Sequence, residues 1–242
     1  MNRQNHFEPF RMTFSSEQKA HAIYLDQESG LSECLERLSL DCARPTLLLI
    51  GGAGKMTQSE LRRLRPLFAD VLARAADELG LCVIDGGTDA GVMQLMGQAR
   101  KDAHASFSLL GVVARGTAVL PNADPPSKDS APLEPNHTHF ILVPGNNWGD
   151  EAPWLSKFAD RLAGNKPSLT VLVNGGDNSR RDLTFSLNAG RKILVIAGSG
   201  RLADELASDS ERSQGISILE MSEGLEKISA TLYALFEEGT HG

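Results

Sequence analysis

One junction recurs along this chain and limits what it can fold into: a short apolar run, a glycine cluster, then the start of a helical pattern. Thr46-Leu47-Leu48-Leu49-Ile50 runs into Gly51-Gly52, and Leu81 to Ile84 runs through Asp85 into Gly86-Gly87. Leu169 to Val173 ends in Asn174-Gly175-Gly176, and Lys192 to Ile196 in Ala197-Gly198-Ser199-Gly200. Apolar runs bounded by glycine fit strands buried on both faces, as parallel sheets require. Regular alternation with helices predicts an α/β fold: a Rossmann-like, mostly parallel sheet covered by helices on both faces. Adjacent glycines leave backbone N–H groups uncovered, and a helix N-terminus adds unpaired donors and partial positive charge. Each junction is therefore an anion cradle suited to phosphate. In such sheets the ligand sits beyond the carboxyl ends of the strands, where strand order reverses.

In chain order, residues 1–19 read as a loose or partner-dependent arm. A short strand over Ala20 to Leu25 and a short helix over Leu31 to Leu40 follow. Thr57-Gln58-Ser59-Glu60 reads as a capping box opening a helix that Pro66 should kink or split. A third strand is expected over Leu109 to Val113 and a fourth over His139 to Val143. The long proline-, aspartate- and serine-rich segment between them, Ala114 to Asn136, reads as a functional flap. A helix over Ala152 to Leu162, an edge strand over Ile216 to Leu219 and an amphipathic helix carrying Leu225, Ile228, Leu232, Leu235 and Phe236 complete the pattern. Residues 1–42 are expected to form an N-terminal extension and 43–242 the main domain.

The cations Lys55, Arg115, Arg180, Arg181 and Arg201 fall at the same edge as the glycine turns, which points to a phosphorylated ligand. The ligand-binding candidates are Gly51, Gly52, Lys55, Gly86, Gly87, Thr88, Arg115, Gly175, Gly176, Ser179, Gly198, Ser199, Gly200, Arg201 and Asp204. Arg201 offers a fork for a diphosphate, with a salt bridge to Asp204 or Glu205 as the plain alternative. Asp204 would hold Arg201 or accept a ribose hydroxyl. Trp148, in a Gly/Asn-rich loop, is placed either to stack on a base or to pack the loop down. Asp85 has a weaker claim on a ribose. His137 and His139 are expected to make structural hydrogen bonds, and no metal site is expected. A Walker loop is excluded because Leu49 and Met56 occupy its first glycine and its Ser/Thr positions, and G-x-G-x-x-G fails at Thr57.

Four segments, read together, resemble the SLOG superfamily. They are Gly86-Gly87-Thr88-Asp89-Ala90-Gly91-Val92-Met93, Gly111-Val112-Val113-Ala114-Arg115-Gly116-Thr117, Pro135-Asn136-His137-Thr138-His139-Phe140-Ile141-Leu142-Val143 and Gly198-Ser199-Gly200-Arg201-Leu202-Ala203-Asp204. The nearest branch is the LSDAT type, similar to the N-terminal cytosolic region of melastatin-type TRP channels and its prokaryotic relatives. The lysine-decarboxylase-like phosphoribohydrolases are more distant. The resemblance implies a binding or sensor domain for a nucleotide-derived ligand, ADP-ribose or NAD-related. The alternative it implies is a nucleoside 5′-monophosphate phosphoribohydrolase. In those enzymes Gly-Gly-x-Gly-Thr-x-x-Glu carries the catalytic glutamate. Here the stretch reads Gly175-Gly176-Asp177-Asn178-Ser179-Arg180-Arg181-Asp182, which leaves Asp182 as the catalytic candidate and favours sensing over hydrolysis.

The formal charge of −7 argues against broad nucleic-acid binding. No apolar run approaches the roughly 20 residues of a membrane span, so no membrane insertion is expected. The polar N-terminus and three cysteines (Cys34, Cys42 and Cys82) without ligand spacing point to reduced thiols in a cytoplasmic protein. No resident cofactor is expected. The expected partners are a nucleotide-like small molecule and either further copies of the chain or an effector protein.

Overall fold

The structure, a computed structural model, describes residues 7–40, 43–209 and 215–238. Cys42 and the last four residues lie outside them. The strands are β1 (Phe10–Thr13), β2 (Lys19–Tyr24), β3 (Thr46–Gly51), β4 (Cys82–Asp85), β5 (Ser108–Ala114), β6 (Ala118–Val119), β7 (Ala131–Pro132), β8 (His139–Val143), β9 (Ser168–Val173), β10 (Lys192–Ala197) and β11 (Ile216–Glu220). The helices are α1 (Leu31–Arg37), α2 (Gln58–Pro66), α3 (Ala73–Glu78), α4 (Gly91–Asp102), α5 (Ala152–Ala163), α6 (Asp177–Asn188), α7 (Arg201–Ser208) and α8 (Leu225–Glu238).

Among the described residues the main sheet has nine strands in the order β1-β2-β8-β5-β4-β3-β9-β10-β11. Every neighbouring pair is parallel except β1 with β2. After β3 the chain steps outward through β4, β5 and β8. It then returns to lay β9 on the other side of β3. The order therefore reverses between β3 and β9, whose ends are in register at Gly51 and Val173.

Strand alternation divides the core. Leu47 and Leu49 of β3 face the cluster built with Leu64, Phe68, Met96, Ile228 and Leu232 from α2, α4, α8 and the turn after α2. Leu48 and Ile50 face the other side, with Leu35, Leu155, Phe158, Leu183 and Leu202 from α1, α5, α6 and α7. Both faces of β3 are dry, which is why its sequence is continuously apolar. Each such side chain contributes roughly 1.5–3 kcal/mol of burial.

Two elements differ from the sequence expectation. The arm contains β1, which forms a hairpin with β2 and extends the sheet beside β8. Its signal is the period-two pattern of Phe10-Arg11-Met12-Thr13, whose Met12 joins Ala20, Ala22, Phe140 and Leu142 in a third, smaller core. At Pro66, where a kink or a split was expected, the α register is interrupted without a gap in the helix. α2 ends on it, Leu67–Leu72 continues in wider π register, and α3 follows without a break. The capping box forms as expected, with Thr57 accepting from the Glu60 N–H and the Glu60 carboxylate accepting from the Thr57 N–H.

Candidate functional site

A cleft of about 520 Å³ opens where the strand order reverses. Its floor is the β3 loop, Gly51 to Lys55, and one wall is the start of α6, from Gly176 to Ser179. Thr88 and Ala90 line it from the β4 loop, Arg201 from the β10 loop, and Asp129, Ala131 and Trp148 from the two long loops before and after β8.

Close backbone approach explains the glycines of the floor. A Cβ on Gly51 would fall inside contact distance of the Val173 carbonyl oxygen and the Val92 side chain. Gly91 has φ of +56°, and a Cβ there would strike the Gly52 carbonyl, which accepts from Val92 N–H at 2.9 Å. The N-terminus of α4 is therefore docked on the floor loop, and its leading donor is used there.

The α6 terminus is different. Gly176 is its N-cap and no side chain caps it. Among the described residues the first-turn N–H groups of Asp177, Asn178 and Ser179 have no acceptor, while the Ser179 hydroxyl donates to the Gly51 carbonyl at 2.9 Å. Open donors at the start of a twelve-residue helix form an anion site. The Arg201 guanidinium lies against Gly176 at this terminus. Neither expected salt-bridge partner holds it, because Glu205 pairs with Arg180 at 2.6 Å and Asp204 accepts from the Gly198 and Gly200 N–H groups. Among the described residues neither Arg201 nor Lys55 makes an ion pair. Arg201 also sits at φ +51°, a left-handed conformation that costs a non-glycine residue about 1–2 kcal/mol.

Asn174, which sequence reasoning passed over, stitches these loops together. It is fully buried at φ +61° and donates from Nδ2 to Glu60 Oε1 (3.0 Å) and to the Ser199 carbonyl (2.9 Å). Its N–H donates to Ser199 Oγ at 2.7 Å. Arg63 then reaches from α2 to the Gly198 and Ser199 carbonyls. The available signal was Asn before Gly-Gly at a strand end, since Asn tolerates the left-handed region. Asp129 and Ala131 were passed over too, because nothing local ties the flap to the cleft. Trp148, read as a loop residue at this edge, donates its indole N–H to the Asp129 carbonyl at 3.0 Å and remains 36 % exposed.

Of the residues expected from sequence, Gly51, Gly52, Lys55, Thr88, Gly176, Ser179 and Arg201 line the cleft. The others lie off its wall. Gly87 packs against Gly111 and Phe140, and its N–H is taken by Asp85 Oδ1 at 2.7 Å, beside Gly86. Gly175 lies under Leu172 and Leu202. The Gly198-Ser199-Gly200 loop spends its donors on Asp204 and its serine on Asn174, so Asp204 holds the loop rather than Arg201. Arg115 pairs with Asp26, donates to the Leu25 carbonyl at 3.1 Å and lies over the Tyr24 ring. Asp85 is wholly buried on His137, and His139 meets His21 edge-on.

Asp182 sits one helical turn beyond Asn178. Its Oδ1 is buried without a hydrogen-bond partner. Burial, and then the nearby Glu151 carboxylate, raise its pKa to about 8. Burial also raises that of Glu151, whose carboxylate accepts from the Gly149 N–H. At neutral pH Asp182 holds its proton, a poor state for a general base.

A profile of the family described as "SLOG in TRPM, prokaryote" matches residues 44–233. The chain belongs to that family. It is 26% identical over 231 residues to transient receptor potential cation channel subfamily M member 2 of Mus musculus, covering 81% of this chain and 15% of the channel. A subfamily M member-like 2 channel of Nematostella vectensis is 26% identical over 206 residues, 70% of this chain and 13% of that one. The chain thus spans about a seventh of the curated relatives it matches. Two solved structures share the fold. One is a structural-genomics target named TM1055, with TM-score 0.57 and 16% identity over 78% of this chain and 99% of that one. The other is a molybdenum cofactor binding protein of Rippkaea orientalis, with TM-score 0.54 and 14% identity over 79% of this chain and 97% of that one. No helix among the described residues is long and apolar enough to cross a membrane.

Proposed function

We propose that this domain is a binding or sensor module for a nucleotide-derived ligand, ADP-ribose or an NAD-related molecule. The observation that carries this reading is one cleft that joins an open helix N-terminus, two unpaired cations and an exposed indole. The α6 terminus, Lys55 and Arg201 take the phosphates, and Trp148 offers a face to the base. The family relationship and the fold shared with a molybdenum cofactor binding protein support a small-molecule role for the domain.

Magnitudes set the expected affinity. A helix terminus gives an anion about 0.3–1 kcal/mol. Each charged hydrogen bond adds about 1.5–3, and a stacked base about 1–3. Together these reach the roughly 8 kcal/mol of a micromolar complex only when all are made. Calorimetry against ADP-ribose, cyclic ADP-ribose, NAD and AMP tests the reading. Micromolar to sub-millimolar heat with at least one of them is expected, and none from folded protein would remove it. The same AMP sample, searched by chromatography for free adenine, tests hydrolysis. Binding without base release is expected, given the buried, protonated Asp182. Output would pass through further copies of the chain or an effector protein.

A further inference from the structure

We propose that His137 is a positioning residue for the cleft: an imidazolium strung between Asp85 and Glu134 that pins the Gly86–Asp89 turn, and with it Thr88, in the cleft wall. This rests on the reading of the cleft as the binding site. His137 is buried, with Nε2 2.8 Å from Asp85 Oδ1 and Nδ1 2.8 Å from Glu134 Oε2. A neutral imidazole has one donor, so two hydrogen bonds to two carboxylates call for both nitrogens to be protonated. The Phe140 ring stacks on the imidazole at 5.2 Å and shuts out water. Burial alone pulls the imidazole pKa down, but the Asp85 charge and the hydrogen bonds of both carboxylates outweigh it and raise the value to about 9.

Both acidic residues reach the turn, Asp85 through its carboxylate and Glu134 through its backbone N–H. Asp85 Oδ1 accepts from the Gly87 N–H at 2.7 Å, and the Glu134 N–H donates to the Gly87 carbonyl at 2.9 Å. Thr88 bridges to Leu133, and the Asp89 N–H donates to the Pro132 carbonyl at 2.8 Å. His137 therefore joins the end of β4 to the strap 132–134, with the turn held between them. The neighbouring charges are few. Arg100 of α4 acts on Glu134 while its Nε donates to the Phe107 carbonyl. His139 of β8 faces His21 of β2, and the β1–β2 turn contributes the neutral Gln18 to Asn136. Gly97 of α4 leaves the space that the Glu134 carboxylate fills.

The test follows the Thr88 methyl carbon by NMR while the His137 ring is titrated in the wild-type protein. The Thr88 shift should track the ring titration while Leu47 methyls in the core stay flat. In His137→Gln the titration should vanish, amide exchange at Gly87 and Asp89 should rise at least tenfold with β3 amides unchanged, and ADP-ribose binding should weaken fivefold or more. A Thr88 shift that is flat through the wild-type titration overturns the proposal. So does a folded His137→Gln with unchanged exchange at Gly87 and Asp89. If His137→Gln fails to fold, the wild-type titration alone decides. If wild-type protein binds no ADP-ribose, the binding reading falls, and the Thr88 titration still decides whether His137 positions the turn.

Discussion

Arg201→Gly should raise stability and lower ligand affinity at once. Arg201 sits at φ +51°, opens α7 and lies against the open N-terminus of α6. Relieving a left-handed non-glycine residue returns about 1–2 kcal/mol. Glycine's extra chain entropy takes back roughly 0.5–1. The net gain is therefore about 0.5–1 kcal/mol, which for a chain of this size corresponds to a Tm rise of roughly 1–4 °C. Removal of a cation from a helix start adds to the gain in the same direction. The charged hydrogen bond lost to a ligand phosphate is worth about 1.5–3 kcal/mol, and solvent at this exposed side chain holds it near the lower figure. ADP-ribose should then bind about tenfold more weakly. Arg201→Ala separates the two effects, because it loses the contact and keeps the strain. It should bind as weakly as the glycine variant, with only the part of the Tm gain that removing the cation brings. Calorimetry and thermal melts of the three proteins give both numbers. A glycine variant that melts lower and binds as tightly as the wild type would refute the assignment of Arg201 as a strained ligand contact.

Gly51→Ala places a methyl against the Val173 carbonyl and Val92, both fixed by the sheet and by α4. A loss of about 3 kcal/mol is expected, read as a Tm drop of roughly 6–12 °C. Asn174→Ala removes the bonds to Glu60 and to the Ser199 carbonyl and leaves alanine at φ +61°. It should cost more than Asn174→Gly, which keeps the backbone conformation, and denaturant melts of the pair measure the difference. Asp182→Asn tests the raised carboxyl. The folded pKa of about 8 lies above the ordinary 3.8, so the group's stabilising contribution is full below pH 3.8 and is lost as pH rises toward 8. The variant should therefore melt higher than wild type at pH 8, with the gain fading toward pH 4.

The layered fold was legible because both-face burial writes itself into composition. Leu47 to Ile50 and Phe140 to Val143 are apolar at consecutive positions, as a short strand covered on both sides requires. β1 was hidden because it lies at an edge and is four residues long, so only Phe10 and Met12 turn toward the core. The π segment after Pro66 was hidden because helical spacing predicts only that the apolar face continues. The hydrogen-bond register is settled by α4 and α8 packing against that segment.

The site was legible to the level of a sheet edge and no further. Gly86-Gly87 and Gly175-Gly176 look alike in sequence, yet only the second opens an uncapped helix into the cleft. The difference comes from residues distant in the chain. Gly52 offers its carbonyl to α4, and Asp85, itself held by His137, takes the Gly87 N–H. Among the described residues nothing offers the equivalent to α6: Ser179 turns its hydroxyl to Gly51 and the first-turn donors stay open. A glycine pair therefore announces that donors can be exposed. Whether they remain exposed depends on which carbonyl or carboxylate the fold brings beside them, and that partner belongs to the topology rather than to the motif.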